Sequence, residues 1–222
     1  MAEQIQTIES LIARNRAWAA RKTRVDPGFF ARLANQQNPA YFWVGCSDSR
    51  VPATEIVDLD PGEMFVHRNV ANLVPAGDPN FTAALAFAVE VLRVRHVIVV
   101  GHYGCGGIQA ASKPLANDAL GKWLSPLRSL YLHHERELTT IDAPQRRDDR
   151  LCELNVVAQI QALSRNPVIT RAWAHRSLTI HGMIYSLRDG LIGAVCDAVS
   201  SPAGEAHAQV AQSDDELDAN IM

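Results

Sequence analysis

Two apolar runs stand out along the chain because each is continuous rather than alternating. The first is AYFWVG at 40–45, and the second opens the segment RHVIVVGHYGCGG at 95–107. Continuous runs of this length are typical of parallel strands that are buried on both faces. EMFVHR at 63–68 predicts a further strand, and FTAALAFAVEVL at 81–92 has apolar residues at helical intervals. This order of elements predicts an α/β fold with a mostly parallel central sheet flanked by helices.

The second half of the chain continues with helices and ends in a hairpin. Helical patterns occupy roughly 119–136, 150–165 and 167–175, the last with a proline at its start. SLTIHGMIYSLRDGLIGAVCDAV then predicts two antiparallel strands joined at Asp189-Gly190.

The two ends of the chain differ from its middle. Residues 3–35 have helical spacing with polar interruptions, which predicts an N-terminal helical arm, 1–35, that packs on a neighbour rather than forming a core. From residue 200 the sequence turns polar and acidic, and 200–222 is predicted to be a loose tail. Without an internal repeat or a clear linker, we expect one domain over 1–222.

Composition and charge narrow the class of protein. The 222 residues are 47% hydrophobic and 20% charged, as in an ordinary soluble globular protein. A net charge of -3 argues against nucleic acid or an anionic membrane as the main partner. No apolar run approaches the ~20 residues that cross a bilayer, and the N-terminal sequence lacks the pattern of a secretory signal. Four cysteines are too few for a disulfide scaffold in a chain of this size, so we expect reduced thiols and a cytoplasmic location.

Thiol and imidazole groups follow the ends of two predicted strands. Cys46 follows the first apolar run, and His102 and Cys105 follow the second. Because the carboxyl ends of parallel strands meet at one edge of a sheet, we expect these side chains to lie close together. Two thiolates and one imidazole suit Zn²⁺, and three protein ligands leave open the fourth position that a catalytic zinc requires.

Two other interpretations of these residues are possible. A zinc site that only stabilises the fold normally has four Cys or His ligands in two tight pairs, and only one tight pair is present here. Alternatively, Cys46 is a nucleophile with His102 as its base, which leaves Cys105 without a role. The catalytic zinc site is therefore favoured.

The segment CSDSR places three reactive groups at alternate positions, Cys46, Asp48 and Arg50. On an extended or turning segment all three face one pocket. The Arg50 guanidinium is then able to form a two-point pair with the Asp48 carboxylate. Asp48 has two possible states: it stays with Arg50 and leaves the zinc position to water, or it is released and binds the zinc itself.

At this point a resemblance is clear. CSDSR, FVHRNVAN and GHYGCGG, in this order and spacing, resemble the β-class carbonic anhydrases. The similarity runs in motif form from about Gln37 to Gly107 and continues more loosely to HGMIYSLRDG. It implies reversible hydration of CO₂ to bicarbonate and a proton by attack of zinc-bound hydroxide. It also implies an α/β fold assembled as dimers or tetramers, in which the N-terminal helices embrace the partner.

By position, the resemblance implies that Cys46, His102 and Cys105 bind zinc and that Asp48 and Arg50 form the catalytic dyad. Two thiolates cancel the formal charge of Zn²⁺, so we predict a weaker Lewis acid than a three-histidine site, where the pKa of bound water is about 7. Activity should therefore rise with pH.

The resemblance also implies a substrate cleft at the dimer interface, lined by Gln37, Phe65 and Phe87. The last of these positions is frequently tyrosine in relatives, so this chain keeps an apolar wall and loses a hydroxyl. Thr54 stands where many relatives carry glutamate.

A finer resemblance concerns the type II subgroup. Trp43, Arg68 and Tyr185 match a triad that holds a non-catalytic bicarbonate near the zinc. The guanidinium supplies charge, and the indole N–H and the phenol hydroxyl are donors for an oxyanion. The resemblance implies regulation: low pH and high bicarbonate favour Asp48 on the zinc.

Three alternative functions stay open from the sequence. A non-catalytic member of the family would bind bicarbonate as a sensor or scaffold. A zinc hydrolase would use the same site on carbonyl sulfide or carbon disulfide. A redox protein would carry no stoichiometric metal.

Overall fold

A computed structural model of the chain describes residues 7–201. It divides into two compact units between Asn38 and Pro39. The predictions for residues 1–6 and 202–222, including nearly all of the polar tail, lie outside the described residues.

The first unit consists of two helices, α1 (Ile8–Val25) and α2 (Phe29–Asn35). Thr7 caps α1 by accepting a hydrogen bond from the Ser10 backbone N–H. No residue of α1 is buried, and Ile8, Leu11 and Ile12 are exposed. The segment is therefore helical, as predicted, and these three side chains form an exposed apolar stripe on α1.

The second unit is built on a five-stranded sheet in the order β2-β1-β3-β4-β5. Its strands are β1 (Tyr41–Cys46), β2 (Met64–Asn69), β3 (His96–His102), β4 (Thr179–Tyr185) and β5 (Ile192–Ala194). The first four strands are parallel, and β5 pairs antiparallel with β4. The predicted α/β class, the mostly parallel sheet and the terminal hairpin are thus confirmed.

Six helices accompany the sheet among the described residues. They are α3 (Pro79–Ala86), α4 (Gly106–Ala111), α5 (Ala119–His133), α6 (Glu135–Thr139), α7 (Pro144–Ser164) and α8 (Pro167–His175). Three details differ from the sequence pattern. The helix predicted over 81–92 changes to a π-helical turn at Phe87–Val91, the pattern at 119–136 divides at His134, and α7 begins at Pro144 rather than near 150.

The two faces of the sheet are covered unequally. The larger core lies on the side of α7, which packs against β3 and β4. The smaller cluster on the other face has Trp43, Ile98 and Val100 at its centre, with half-buried Met183 and Tyr185 around them. Within the part of the chain that is described, no helix combines the length and apolar character needed to span a membrane.

Candidate metal centre

The carboxyl ends of β1 and β3 bring the predicted ligands to one edge of the sheet. Cys46 is the last residue of β1 and His102 the last of β3, and these strands are neighbours. After β3 the backbone turns through Gly104, whose φ of 69° lies in the left-handed region that glycine adopts easily. This turn places Cys105 at the start of α4, facing the other two side chains.

The geometry of the three side chains fits a tetrahedral zinc ion. One ligand atom from each of Cys46, His102 and Cys105 lies within 4.8 Å of the others, and all three residues are buried. The two sulfurs are 3.9 Å apart, against about 3.8 Å expected for tetrahedral metal–sulfur bonds of about 2.3 Å. His102 Nδ1 donates to the backbone oxygen of Tyr103 at 3.1 Å, while the buried Nε2 has no hydrogen-bond partner. An imidazole held this way presents a free lone pair to a metal.

The two sulfurs also polarise each other. The pKa of Cys46 is lowered to about 4, chiefly because Cys105 donates a hydrogen bond to it, with further help from His102 and against the effect of burial. The backbone N–H groups of Asp48 and Ala71 also lower the pKa of Cys46. The pKa of Cys105 is raised because it shares that hydrogen bond with Cys46 and because it is buried. This asymmetry favours ionisation of Cys46 over that of Cys105.

Asp48 lies beside this cluster and is bound by Arg50. Arg50 Nε donates to Asp48 Oδ1 at 3.0 Å and Nη2 donates to Oδ2 at 2.8 Å, which is a two-point ion pair. Arg50 also donates to the Gly104 backbone oxygen at 3.3 Å. The guanidinium holds the pKa of the Asp48 carboxyl well below its usual range. Because Asp48 Oδ2 is 3.7 Å from His102 Nε2, the carboxylate borders the metal position while it is bound to Arg50.

Two of the predicted cleft residues form an apolar wall. Phe42, Phe65 and Phe87 make a ladder of tilted rings with centroids 5.7 Å apart at each step. Phe87 is 42% exposed. It is the first residue of the π-helical turn, and its carbonyl accepts a hydrogen bond from the Leu92 N–H. The third cleft residue, Gln37, is exposed in the first unit, and its place in the cleft stays a prediction.

The three residues of the predicted bicarbonate triad lie on the same face of the sheet. Arg68 pairs with Gly45 in the strand register, two residues after the partner of Trp43 and therefore on the same face. Tyr185 is the last residue of β4 and pairs with His102 of β3. Arg68 Nε donates to the Cys46 carbonyl at 2.8 Å, and Nη2 donates to the Asp48 carbonyl at 2.5 Å.

The Trp43 indole is buried, and its N–H has no partner among the described residues. The ring crosses the face of Gly45 so closely that a Cβ there would lie 2.2 Å from Nε1.

Sequence reasoning missed the residues behind Cys46. Ala71 and Asn72 both have positive φ, and buried Asn155 of α7 donates to the Ala71 carbonyl. Asparagine tolerates the left-handed region, so the pair of letters AN in FVHRNVAN was a weak signal for a turn. Nothing in the sequence connects Asn155 with residue 71, because the contact spans most of the domain.

Comparisons with known proteins agree with this geometry. A family model described as carbonic anhydrase matches residues 41–192. The chain is 44% identical over 188 residues to a carbonic anhydrase from Emericella nidulans, covering 84% of this chain and 82% of that protein. A tetrameric β-carbonic anhydrase structure from Sordaria macrospora matches with a TM-score of 0.84 and 39% identity, covering 86% of this chain and 98% of that one. A β-carbonic anhydrase structure from Aspergillus fumigatus matches with a TM-score of 0.82 and 39% identity, covering 85% of this chain and 90% of that one.

Proposed function

Because this chain belongs to the carbonic anhydrase family, in its β class, we propose that it works with a zinc ion held by Cys46, His102 and Cys105. The chain catalyses the reversible hydration of CO₂ to bicarbonate and a proton. The observation that carries the proposed metal is the buried cluster of two sulfurs and one unpartnered imidazole nitrogen. Zn²⁺ bound there would act as a Lewis acid that lowers the pKa of water and so makes hydroxide available near neutral pH.

Asp48 and Arg50 orient the reacting water in this proposal. The ion pair fixes the carboxylate 3.7 Å from His102 Nε2, beside the position where the reaction takes place. An ionised carboxylate only accepts hydrogen bonds, so Asp48 would accept a hydrogen bond from the nucleophile and leave the nucleophile's lone pair directed at carbon. The low pKa of Asp48 keeps it in that accepting state at physiological pH.

Phe65 and Phe87 supply the surface against which CO₂ rests. CO₂ has no charge, and an apolar wall binds it without competing for the polar groups of the site. Their rings are in contact with each other, and Phe87 is open to solvent on one side.

Bicarbonate regulation through Trp43, Arg68 and Tyr185 is the second part of the proposal. An oxyanion held by Arg68 would compete with the two carbonyl oxygens that this guanidinium now contacts, at Cys46 and Asp48. Those contacts fix the backbone that carries Asp48, so their loss would free Asp48 to leave Arg50 and take the fourth metal position. The unpartnered N–H of Trp43 supports this proposal, because a buried donor gains free energy when an acceptor arrives.

Metal analysis and CO₂ hydration rates test the proposal together. We expect one zinc per chain, loss of activity on chelation, and its return when Zn²⁺ is added. Asp48→Asn should keep the metal and lower the rate by about 100-fold or more. Activity without bound metal would refute the zinc proposal, and a metal-loaded protein that hydrolyses carbonyl sulfide or carbon disulfide faster than it hydrates CO₂ would redirect the substrate assignment.

The regulation is tested by the same assay across about pH 6 to 9, where histidine and metal-bound water titrate. We expect bicarbonate and low pH to inhibit the unaltered protein. Arg68→Gln and Tyr185→Phe should both weaken that inhibition, and equal inhibition in all three proteins would remove the case for the triad.

Self-association is the remaining part of the proposal. The Sordaria macrospora relative is a tetramer, and the exposed apolar stripe of α1 needs a covering surface. We propose that this chain forms dimers or tetramers through its helical arm. The cytoplasmic location stays a prediction from the sequence.

A further inference from the structure

The carbonyl that orients the histidine ligand belongs to Tyr103. His102 Nδ1 donates to this carbonyl at 3.1 Å, and the other ring nitrogen, Nε2, is buried without a hydrogen-bond partner among the described residues. The ring directs Nε2 at the metal position only while the Tyr103 carbonyl keeps its place. The next residue, Gly104, has no side chain with which to hold the turn, so other contacts must fix this carbonyl.

Tyr103 is held through both its backbone and its side chain. Its N–H donates to the Tyr185 carbonyl at 3.0 Å, which extends the pairing of β3 with β4 by one residue. Its phenol hydroxyl donates to Glu153 Oε1 at 2.9 Å. Burial, reinforced by the charge of Glu153, raises the pKa of Tyr103, so the hydroxyl stays a donor. These two contacts leave the Tyr103 carbonyl to accept from His102.

Glu153 is a buried carboxylate that the proposed reaction does not use. It is only 8% exposed. Arg150, one turn earlier on α7, donates to Glu153 Oε2 at 3.0 Å, so each carboxylate oxygen has a donor. Arg150 is itself fixed by Glu137, to which its Nε donates at 2.6 Å. A buried carboxylate needs such partners, and here they fix where it can receive the phenol.

The close approach of α7 to β3 brings Glu153 within reach of Tyr103. Gly101 directly precedes His102, and a Cβ at this position would lie 2.7 Å from Val156 Cγ2. The same Cβ would lie 3.7 Å from the carbonyl oxygen of Cys152, the residue before Glu153. The missing side chain therefore lets the helix backbone lie against the end of the strand that carries the histidine.

We propose that Glu153 is a positioning residue for His102: it holds Tyr103 through the phenol, so that the Tyr103 carbonyl keeps its hydrogen bond from His102 Nδ1. This inference rests on the proposed zinc site. A histidine ligand is oriented by the acceptor on its second ring nitrogen, and loss of such outer contacts typically lowers metal affinity by about 10- to 100-fold.

The test combines Zn²⁺ affinity, measured by competition with a chelator, with the proton resonance of the His102 Nδ1–H in the zinc-loaded protein. Glu153→Leu should weaken Zn²⁺ binding by at least about 10-fold. It should also move the resonance upfield, because the hydrogen bond to the Tyr103 carbonyl becomes weaker. Tyr103→Phe removes only the phenol hydroxyl and should act in the same direction. It decides the outcome where Glu153→Leu does not fold.

Two further variants are matched controls. Glu153→Gln keeps an oxygen that accepts from the phenol, so it should retain the affinity that Glu153→Leu loses. Tyr131→Phe removes a hydroxyl from a half-buried ring, and this hydroxyl has no hydrogen bond within residues 7–201. It should therefore change neither the Zn²⁺ affinity nor the His102 resonance.

A double-mutant cycle separates positioning from a general loss of structure. In the Tyr103→Phe background, Glu153→Leu should cause little further loss of Zn²⁺ affinity, because the contact through which it acts is already gone. Additive losses, a His102 resonance that stays in place, or unchanged affinity in the folded variants would overturn the proposal. Failure of the unaltered protein to bind zinc would instead overturn the proposed function, so the two failures are distinguishable.

Discussion

At the residue scale, the buried indole N–H of Trp43 lowers the stability of the folded protein as long as it has no hydrogen-bond partner. A buried N–H without a partner costs about 1–3 kcal/mol. The ring contacts Gly45 on a face where Arg68 and Tyr185 also lie. An oxyanion at the proposed bicarbonate site would give this N–H an acceptor.

Trp43→Phe tests this interpretation. The substitution removes the unpaired donor, so we expect the free energy of unfolding without bicarbonate to fall by less than about 1 kcal/mol. We expect the inhibition by bicarbonate to weaken at the same time. Trp123→Phe is the matched control: its N–H is bonded to Val70, and its loss should cost about 1 kcal/mol. Denaturant unfolding and hydration assays measure the two effects, and a Trp43→Phe protein with normal bicarbonate inhibition would contradict the assignment.

The Trp43 ring also requires a residue without a Cβ at position 45, where the chain has Gly45. A Cβ at position 45 would lie 2.2 Å from Trp43 Nε1, inside the closely packed smaller core, so the indole would have to move. Gly45→Ala should therefore destabilise the protein by about 1–3 kcal/mol. Gly193→Ala, at an open position in β5, should change stability by less than about 0.5 kcal/mol. Similar denaturation midpoints for the two variants would show that the ring moves without cost.

The residues that sequence reasoning identified share one property. Cys46, His102 and Cys105 have side chains whose chemistry is informative on its own, and strand ends place them together. The contact of Asn155 with the Ala71 carbonyl, by contrast, joins a plain amide to a backbone group, and such groups occur throughout any chain. This contact depends on a left-handed turn and crosses the core, and neither feature leaves a local signal in the sequence.

At the element scale, the parallel strands were the most predictable part of the fold. A strand buried on both faces needs a continuous apolar run. The bounds of β1 lie within one residue of its run, and β3 contains all four branched aliphatic residues of the second run. The helix predicted over 81–92 was less well defined. Its apolar spacing continues unchanged through the π-helical turn at Phe87–Val91, because one extra residue in a turn barely alters the pattern.

Two histidines that face each other across β3 and β4 should make the stability of the protein depend on pH. His96 Nδ1 and His181 Nε2 are 3.1 Å apart. Burial, reinforced by the charge of His96, lowers the pKa of His181 from its ordinary value. The unfolded chain therefore binds a proton more readily than the folded one. Stability should be fully present above about pH 6.5 and should fall as the pH drops through that value.

His181→Gln should flatten this decline in the melting temperature between about pH 7.5 and 5.5. Part of the slope should persist, because burial also lowers the pKa of His67. His175→Gln, at an exposed position of α8, is the control and should leave the slope unchanged. A slope in His181→Gln as steep as that of the unaltered protein would exclude the strand pair as its source.

At the scale of the whole molecule, the arm and the sheet are stabilised differently. The second unit has a continuous core on the α7 side of its sheet. In α1, by contrast, Ile8 is 68% exposed and Leu11 is 61% exposed, and the neighbouring Ile12 is exposed as well. Residues at this spacing form one stripe on a helix, and a stripe this open needs a partner surface. A net charge of only -3 offers little repulsion against association of like chains.

Replacing that stripe should therefore change the oligomeric state rather than the fold of the second unit. We expect Ile8→Ser with Leu11→Ser to shift the protein towards smaller species in sedimentation velocity, because burying these two side chains is worth about 1.5–3 kcal/mol each. The control is Ala13→Ser with Ala17→Ser, which alters exposed positions on the opposite side of α1. Metal content should stay the same in both double variants, since the ligands come from the second unit alone. An unchanged sedimentation coefficient for the apolar variant would show that another surface holds the subunits together, and the proposed role of the arm would then be abandoned.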